Sequence, residues 1–240
     1  MNMKLMKRVA VGVVALSLIG GVALAPTSMA AAPVKRYLNI SGEGIVKVTP
    51  NAVRINATAT SLSKTTKEAL SAVATAAAAI RTVLIENGVA TKDIATQSVS
   101  VYPEYNYVQD TGSVLLGYRA NQSFVISVRK THTAGTIVDG IINAAGDNVQ
   151  LNGVTPYVIN TSKSVTAARA AAVKNAQMKA RSYAALAGLK LGKINYLVEN
   201  SSPVIYPPMS TVSKDLEGAT QIDLGQQDVI VTISIQWALA

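Results

Sequence analysis

The stretch Val53-Arg54-Ile55-Asn56-Ala57-Thr58-Ala59-Thr60 alternates: Val53, Ile55, Ala57 and Ala59 take one side, and Arg54, Asn56, Thr58 and Thr60 the other. Period two marks a strand with one buried face. The period then changes. Thr65 followed three positions on by Glu68 is a capping-box pattern, and Leu70, Val73, Ala77, Ile80 and Leu84 recur at helical spacing before Asn87-Gly88 supplies a left-handed stop. A strand therefore feeds a helix running from near Thr66 to Asn87.

Downstream, two long strand-like runs follow. Val99, Val101, Tyr105 and Tyr107 share a face in the first, with Pro103 interrupting as it does on an edge strand or at a bulge. A loop through Asp110-Thr111-Gly112 leads to the second, in which Phe124, Ile126 and Val128 alternate with Val125, Ser127 and Arg129. A shorter helix spans Ala134 to Ala145, and Val149 to Ile159 reads as another strand. The order from Val53 is thus strand, helix, strand, strand, helix, strand. This is the ferredoxin-like βαββαβ arrangement of an α+β fold, with helices on one face of a mainly antiparallel sheet.

An alanine-rich helix comes next, from Ser164 to Ala187, with Val165, Ala168, Ala172, Ala176, Ala180, Tyr183 and Ala187 as its apolar stripe and Lys163, Lys174 and Arg181 as an opposite basic edge, read as a solvated face in preference to a polyanion contact. Ile194, Tyr196 and Val198 mark a short strand. Residues 200–225 read as a long loop, and Val229 to Trp237 alternate as a strand that should be sealed into a sheet. This C-terminal helix and its two strands extend the core, either by prolonging its sheet or by building a second small layer. Upstream, Tyr37 to Gly44 reads as a strand ending in a glycine-bearing turn, and Ile45 to Val48 as the second arm of a hairpin stopped by Thr49-Pro50.

The first thirty residues are an address. Lys4, Lys7 and Arg8 precede an apolar run from Val9 to Ala25, and Ser28 and Ala30 place small residues where a signal peptidase cuts. Cleavage is expected after Ala30, leaving one domain over 31–240 that is divisible into two subdomains. The alternative is an uncleaved anchor, the run being slightly short of the roughly 20 residues that span a bilayer. No later segment reads as a span. Loss of those three cations lowers the formal charge from +9 to +6. The remaining charge is scattered, without the basic stripe and aromatic platforms that nucleic acid requires, and suits weak attraction to anionic envelope polymers.

Several short motifs recur in order: Ser41-Gly42-Glu43-Gly44, Pro50-Asn51-Ala52, Gly88-Val89 with Asp93-Ile94-Ala95-Thr96, Pro103-Glu104-Tyr105, Gly117-Tyr118-Arg119-Ala120, and the alanine ladder from Ala168 to Ala187-Gly188. Together they resemble the SIMPL-domain family of exported bacterial proteins, the YggE-like and periplasmic immunogenic type, over nearly the whole chain from about Tyr37 to Trp237. The resemblance implies an extracytoplasmic α+β domain, a tendency to self-assemble, a link to oxidative or envelope stress, and no established enzyme activity. One departure is Asn51, where the family usually carries Asp. The change argues against a catalytic or metal-binding acid there, while the Asn side-chain oxygen can still cap the same turn.

The chemical inventory is sparse. The chain has no cysteine, which excludes disulfides, thiol nucleophiles and Cys-ligated metals, and its one histidine is His132, read as a helix-start residue. Gly42-Glu43-Gly44 lacks the third glycine and the following helix of a dinucleotide loop. No G-x-S-x-G elbow or Walker motif is present. Catalytic, cofactor-binding and metal sites are therefore expected to be absent. The candidate partner-binding residues are Tyr105, Tyr107, Tyr118 and Arg119, which a hairpin through Thr111-Gly112 would bring near one another; rigid tyrosine rings beside an Arg suit recognition of protein or glycan. The competing reading is cross-strand packing within the hairpin. The function that follows is an exported non-enzymatic protein that self-associates and binds envelope or protein partners. A hydrolase of cell-wall or extracellular polymer is the alternative, needing two carboxylates about 5–10 Å apart in a concave pocket.

Overall fold

A computed structural model describes residues 35–109, 112–200, 204–206 and 220–240. The expected leader, its cleavage point and most of the expected 200–225 loop lie outside the described residues. The fold is α+β, with two antiparallel sheets and three helices.

The first sheet is the expected ferredoxin-like one. Strand β2 (Ala52–Ser63) leads through helix α1 (Thr66–Glu86) to β3 (Ile94–Val108), β4 (Gly112–Val128), helix α2 (Ala134–Ala145) and β5 (Val149–Tyr157). The strands lie in the order β3-β4-β2-β5, all antiparallel. Thr65 and Glu68 form the complete capping box: the Thr65 hydroxyl accepts from the Glu68 amide, and the Glu68 carboxylate accepts from the Thr65 amide. The predicted stripe of β2 is buried throughout and meets Phe124, Ile126 and Val128 of β4 beneath Val73, Ile80 and Leu84 of α1 and Ile137 and Ile141 of α2. Leu70 is the exception on α1. It is exposed, and Ala69 is buried in its place. By length and composition α1 is apolar enough to cross a bilayer, contrary to the reading that no segment after the leader qualifies. Its alanines raise the hydropathy, while Val73, Ile80 and Leu84 pack on the sheet.

Of the two placements open to the C-terminal elements, the structure adopts the second layer. Strand β1 (Tyr37–Val48), helix α3 (Ser162–Leu186) and strands β6 (Leu191–Glu199), β7 (Val204–Tyr206) and β8 (Gln227–Leu239) build a separate sheet in the order β1-β8-β6, with β7 also paired to β8. β8 alternates as the sequence indicates and lies between β1 and β6, so its Val229, Val231, Ile233, Ile235 and Trp237 are buried under α3.

One local expectation fails here. Gly42 and Gly44 make no turn, because β1 is continuous and pairs with β8 from Tyr37 to Val48. A Cβ on Gly42 would lie 2.3 Å from the Ala172 carbonyl oxygen, and one on Gly44 2.0 Å from that of Ala168. The glycines let α3 lie directly on the strand, a use of glycine for close backbone approach rather than for chain reversal. The facing stripe of α3 is Ala168, Ala172, Ala176, Ala180 and Ala184. Tyr183, assigned to this stripe by spacing, is exposed.

Several hydrogen bonds tether the layers, among them one from Gln227 Nε2 of β8 to the Pro156 carbonyl oxygen of β5 at 2.8 Å. Asn51, between β1 and β2, accepts from the Ile159 amide through its side-chain oxygen at 2.9 Å, so that oxygen ties the exit of β5 rather than capping its own turn. Residues 220–226 run against the first layer. Thr220 donates to Asp139 of α2 from its amide (3.1 Å) and its hydroxyl (2.6 Å), and Ile222 and Leu224 pack on the first core.

Candidate functional site

Strands β3 and β4 form the hairpin expected from sequence, and it outruns its neighbours. Pairing of β4 with β2 stops at Ser63 opposite Tyr118, whereas pairing with β3 continues to Val108 opposite Gly112. Beyond Tyr118 the two strands form a ribbon without a third strand. At its base the register shifts: Glu104 faces Gly117 but Tyr105 faces Leu115, which leaves Leu116 unpaired. Such a bulge sharpens the twist and re-aims the strand beyond it. Gly117 sits there with φ +155°, and a Cβ on it would lie 2.5 Å from the Ser63 carbonyl oxygen. Pro103 lies on the edge strand beside this bulge, as its chemistry requires.

The four candidate residues separate into three environments. Arg119 lies on the sheet face away from the helices, where Nε and Nη2 donate to the two Glu104 carboxylate oxygens, the Nη2 bond at 2.9 Å. Its Nη1 reaches the Thr60 hydroxyl at 3.5 Å. The hydrogen bonds from Arg119 hold the Glu104 carboxyl below its ordinary range against a smaller opposing effect of burial, and the same pairing raises the Arg119 guanidinium. Tyr102 lies opposite Arg119, and its hydroxyl accepts from Asn121 Nδ2 at 3.3 Å. Tyr118, adjacent to Arg119 in sequence, points to the other face because strand side chains alternate, and it packs half-buried on the first core. Tyr105 and Tyr107 are out on the ribbon, 58% and 76% exposed.

Sequence reasoning missed the residues that give this ribbon its character. Val114, Leu115 and Leu116 are each exposed, and with Tyr105 and Tyr107 they make an apolar arm. The segments 105–109 and 112–117 contain no charged residue, and Asp110 lies between them in sequence. Glu104 was visible in sequence as an acid placed almost symmetrically with Arg119 about the turn, which is the signal for a cross-strand pair.

Elsewhere the geometry offers little for catalysis. Among the described residues, no three His, Cys, Asp or Glu side chains converge as metal ligands. His132 lies in the short 3-10 turn Thr131–Thr133 that opens into α2. A cavity of about 370 Å³ at the other end of β4 has a single lining carboxylate, Asp93, and a second of about 280 Å³ between α1 and α2 has none. Neither offers the carboxylate couple that polymer hydrolysis requires.

The family model for SIMPL, described as "Protein of unknown function (DUF541)", matches residues 38–237. This chain belongs to the SIMPL family. It is similar to the 26 kDa periplasmic immunogenic protein of Brucella melitensis, 28% identical over 179 residues that cover 71% of this chain and 69% of the relative. Its likeness to the uncharacterized protein YggE of Edwardsiella ictaluri is also 28%, over 82% of this chain and 83% of the relative. YggE of Escherichia coli is 31% identical over 120 residues, about half of each chain. None of these names is that of an enzyme. The matched span runs from β1 to Trp237 of β8, so both layers belong to the SIMPL unit.

Proposed function

We propose that this SIMPL protein is exported and acts outside the cytoplasm as a non-enzymatic module that self-associates, using the β3–β4 arm as its gripping surface. Export is supported by the basic-apolar-small pattern of residues 1–30 and by the periplasmic name of the Brucella relatives. The observation that carries self-association is the arm: a ribbon past the end of β2 whose segments 105–109 and 112–117 carry no charged residue, with Tyr105, Tyr107, Val114, Leu115 and Leu116 in water. Exposed apolar surface of this kind marks an interaction site. Its lack of charge suits another apolar surface, such as a second copy's arm, better than an anionic polymer. Tyrosine at such a patch combines large contact area with small entropic cost.

A role in envelope or oxidative stress is indirect on this reading. With no cysteine in the chain, and only Met178 and Met209 beyond residue 30, the protein has few groups to consume oxidant. Binding a partner is the remaining route.

Analytical ultracentrifugation of the purified protein at micromolar concentration tests the assembly. The wild-type chain should sediment as an oligomer, and the triple variant Tyr105→Ser, Tyr107→Ser, Leu115→Ser as a folded monomer. A wild-type monomer, or an oligomer that survives the triple substitution, would refute the role given to the arm.

A further inference from the structure

We propose that the cavity at the end of β4 farthest from the arm binds a phosphate dianion, free or as a small phosphomonoester. The cavity, about 370 Å³, lies where the exit of α1 (Asn87–Ala90), the start of β3 (Lys92, Asp93) and the end of β4 (Ser127–Lys130) meet. Its volume falls within the range that takes small molecules.

The charge around it is unbalanced. Lys92, Arg129 and Lys130 line the cavity against one carboxylate, Asp93. Both oxygens of that carboxylate are taken by Arg129, with Nε donating at 2.8 Å and Nη2 at 2.7 Å. The guanidinium is fixed by the pair, and each oxygen of its carboxylate partner accepts one of its hydrogen bonds. Among the described residues, neither Lys92 nor Lys130 has a carboxylate within salt-bridge distance. Lys130 is turned inward: its Nζ lies 3.6 Å from the position a Cβ on Gly88 would occupy, over the backbone at the exit of α1. Two lysines, neither with a carboxylate within salt-bridge distance among the described residues, thus line one concavity beside a held guanidinium.

This arrangement selects a class of ligand. A carboxylate is best matched by the flat fork of an arginine, and the arginine here already holds one. Two ammonium groups act as point charges and suit a tetrahedral dianion, with a charge of about −1.5 to −2 at neutral pH. Val89, Ala90 and Val128 supply apolar wall on the same cavity, so a short organic group esterified to the phosphate has a surface to lie on. The site is distinct from the arm and does not depend on the self-association reading.

Isothermal titration calorimetry of the purified protein at low salt, with inorganic phosphate, glycerol 3-phosphate, sulfate and acetate as titrants, tests the proposal. Saturable binding of phosphate or its ester, stronger than that of acetate, is expected. It should weaken about tenfold or more in the double variant Lys92→Ala, Lys130→Ala and remain in Lys174→Ala, Lys179→Ala, which removes two exposed lysines from α3. Both pairs are exposed, so unchanged thermal unfolding confirms that the variants fold. A tighter ester identifies the monoester as ligand, and equal or weaker ester binding identifies the free ion. Absence of saturable heat, equal affinity for acetate, or equal loss in both double variants would overturn it.

Discussion

Replacing Gly44 by alanine tests the closest approach in the second layer. The added Cβ would lie 2.0 Å from the Ala168 carbonyl oxygen and 2.5 Å from the Ala172 nitrogen, where ordinary contact begins at 3.4 Å. The struck atoms are helix backbone, so no rotamer change relieves the clash. α3 has to withdraw by about 1.4 Å. A radial gap of even about 0.5–1 Å forfeits a quarter to a half of each dispersion well, and Ala168, Ala172 and Ala176 all lose contact with the sheet together. Overpacking costs about 1–3 kcal/mol, and backbone contact puts this case at the upper end, near 3 kcal/mol. Reduced freedom of the unfolded chain returns less than about 1 kcal/mol. The net loss is then about 2–3 kcal/mol, and at about 2–4 °C per kcal/mol for a chain of this size the melting temperature should fall by about 4–12 °C. Trp237 is the chain's single tryptophan and is buried in this same core, so its fluorescence reports on this layer, while circular dichroism reports on the whole fold. Gly153→Ala, whose Cβ would meet nothing nearer than 3.9 Å, is the control and should change stability by less than about 0.5 kcal/mol. If Gly44→Ala melts within about 2 °C of wild type, the close seating of α3 is wrong.

Further substitutions probe the first layer and its ion pairs. Phe124→Ala empties a fully buried position between the sheet and its helices and should cost about 3–5 kcal/mol in urea unfolding. Thr65→Ala removes half of the capping box and should cost about 1 kcal/mol, with far less change for Thr161→Ala, whose side chain makes no cap hydrogen bond at the start of α3. The carboxyls of Asp93 and Glu104 are both held below their ordinary range, chiefly by hydrogen bonds from Arg129 and Arg119. Their contribution to stability is therefore complete above the unfolded carboxyl values, about pH 4, and disappears as pH falls through the lower folded values. The stability gap between wild type and Glu104→Gln should accordingly be constant from neutral pH to about pH 5 and close under stronger acid; a gap that persists in strong acid would contradict the pairing.

The parts of the fold legible in sequence are those whose signals are local. The Thr65–Glu68 box, the alternation of β2 and β8, and Pro103 on an edge strand each depend on residues within a few positions, and each is where it should be. Gly42 and Gly44 were misread because a glycine beside polar residues has a local meaning, a turn, and a distant one, an approaching backbone. Only the second applies, and the helix that imposes it begins at Ser162. The tether from Thr220 to Asp139 is illegible for the same reason: nothing near either residue in sequence hints at the other. At the arm the hairpin was legible but the facing of its residues was not. The bulge after Glu104 changes the register, and the consecutive pair Tyr118-Arg119 is divided between faces of the sheet. Composition drew attention to tyrosine and arginine, while Val114, Leu115 and Leu116 are uncovered only because β2 ends before reaching them.

The pairing of β1 with β8 joins residues as distant as Tyr37 and Ala238. A growing or translocating chain can complete the ferredoxin-like layer from contiguous segments, but its opening strand must stay unsatisfied until β8 emerges. Pairings this remote form slowly. A chain halted before Gln227 would therefore display an orphaned β1 and a bare alanine helix, making proteases and holding chaperones the natural inspectors of an unfinished molecule.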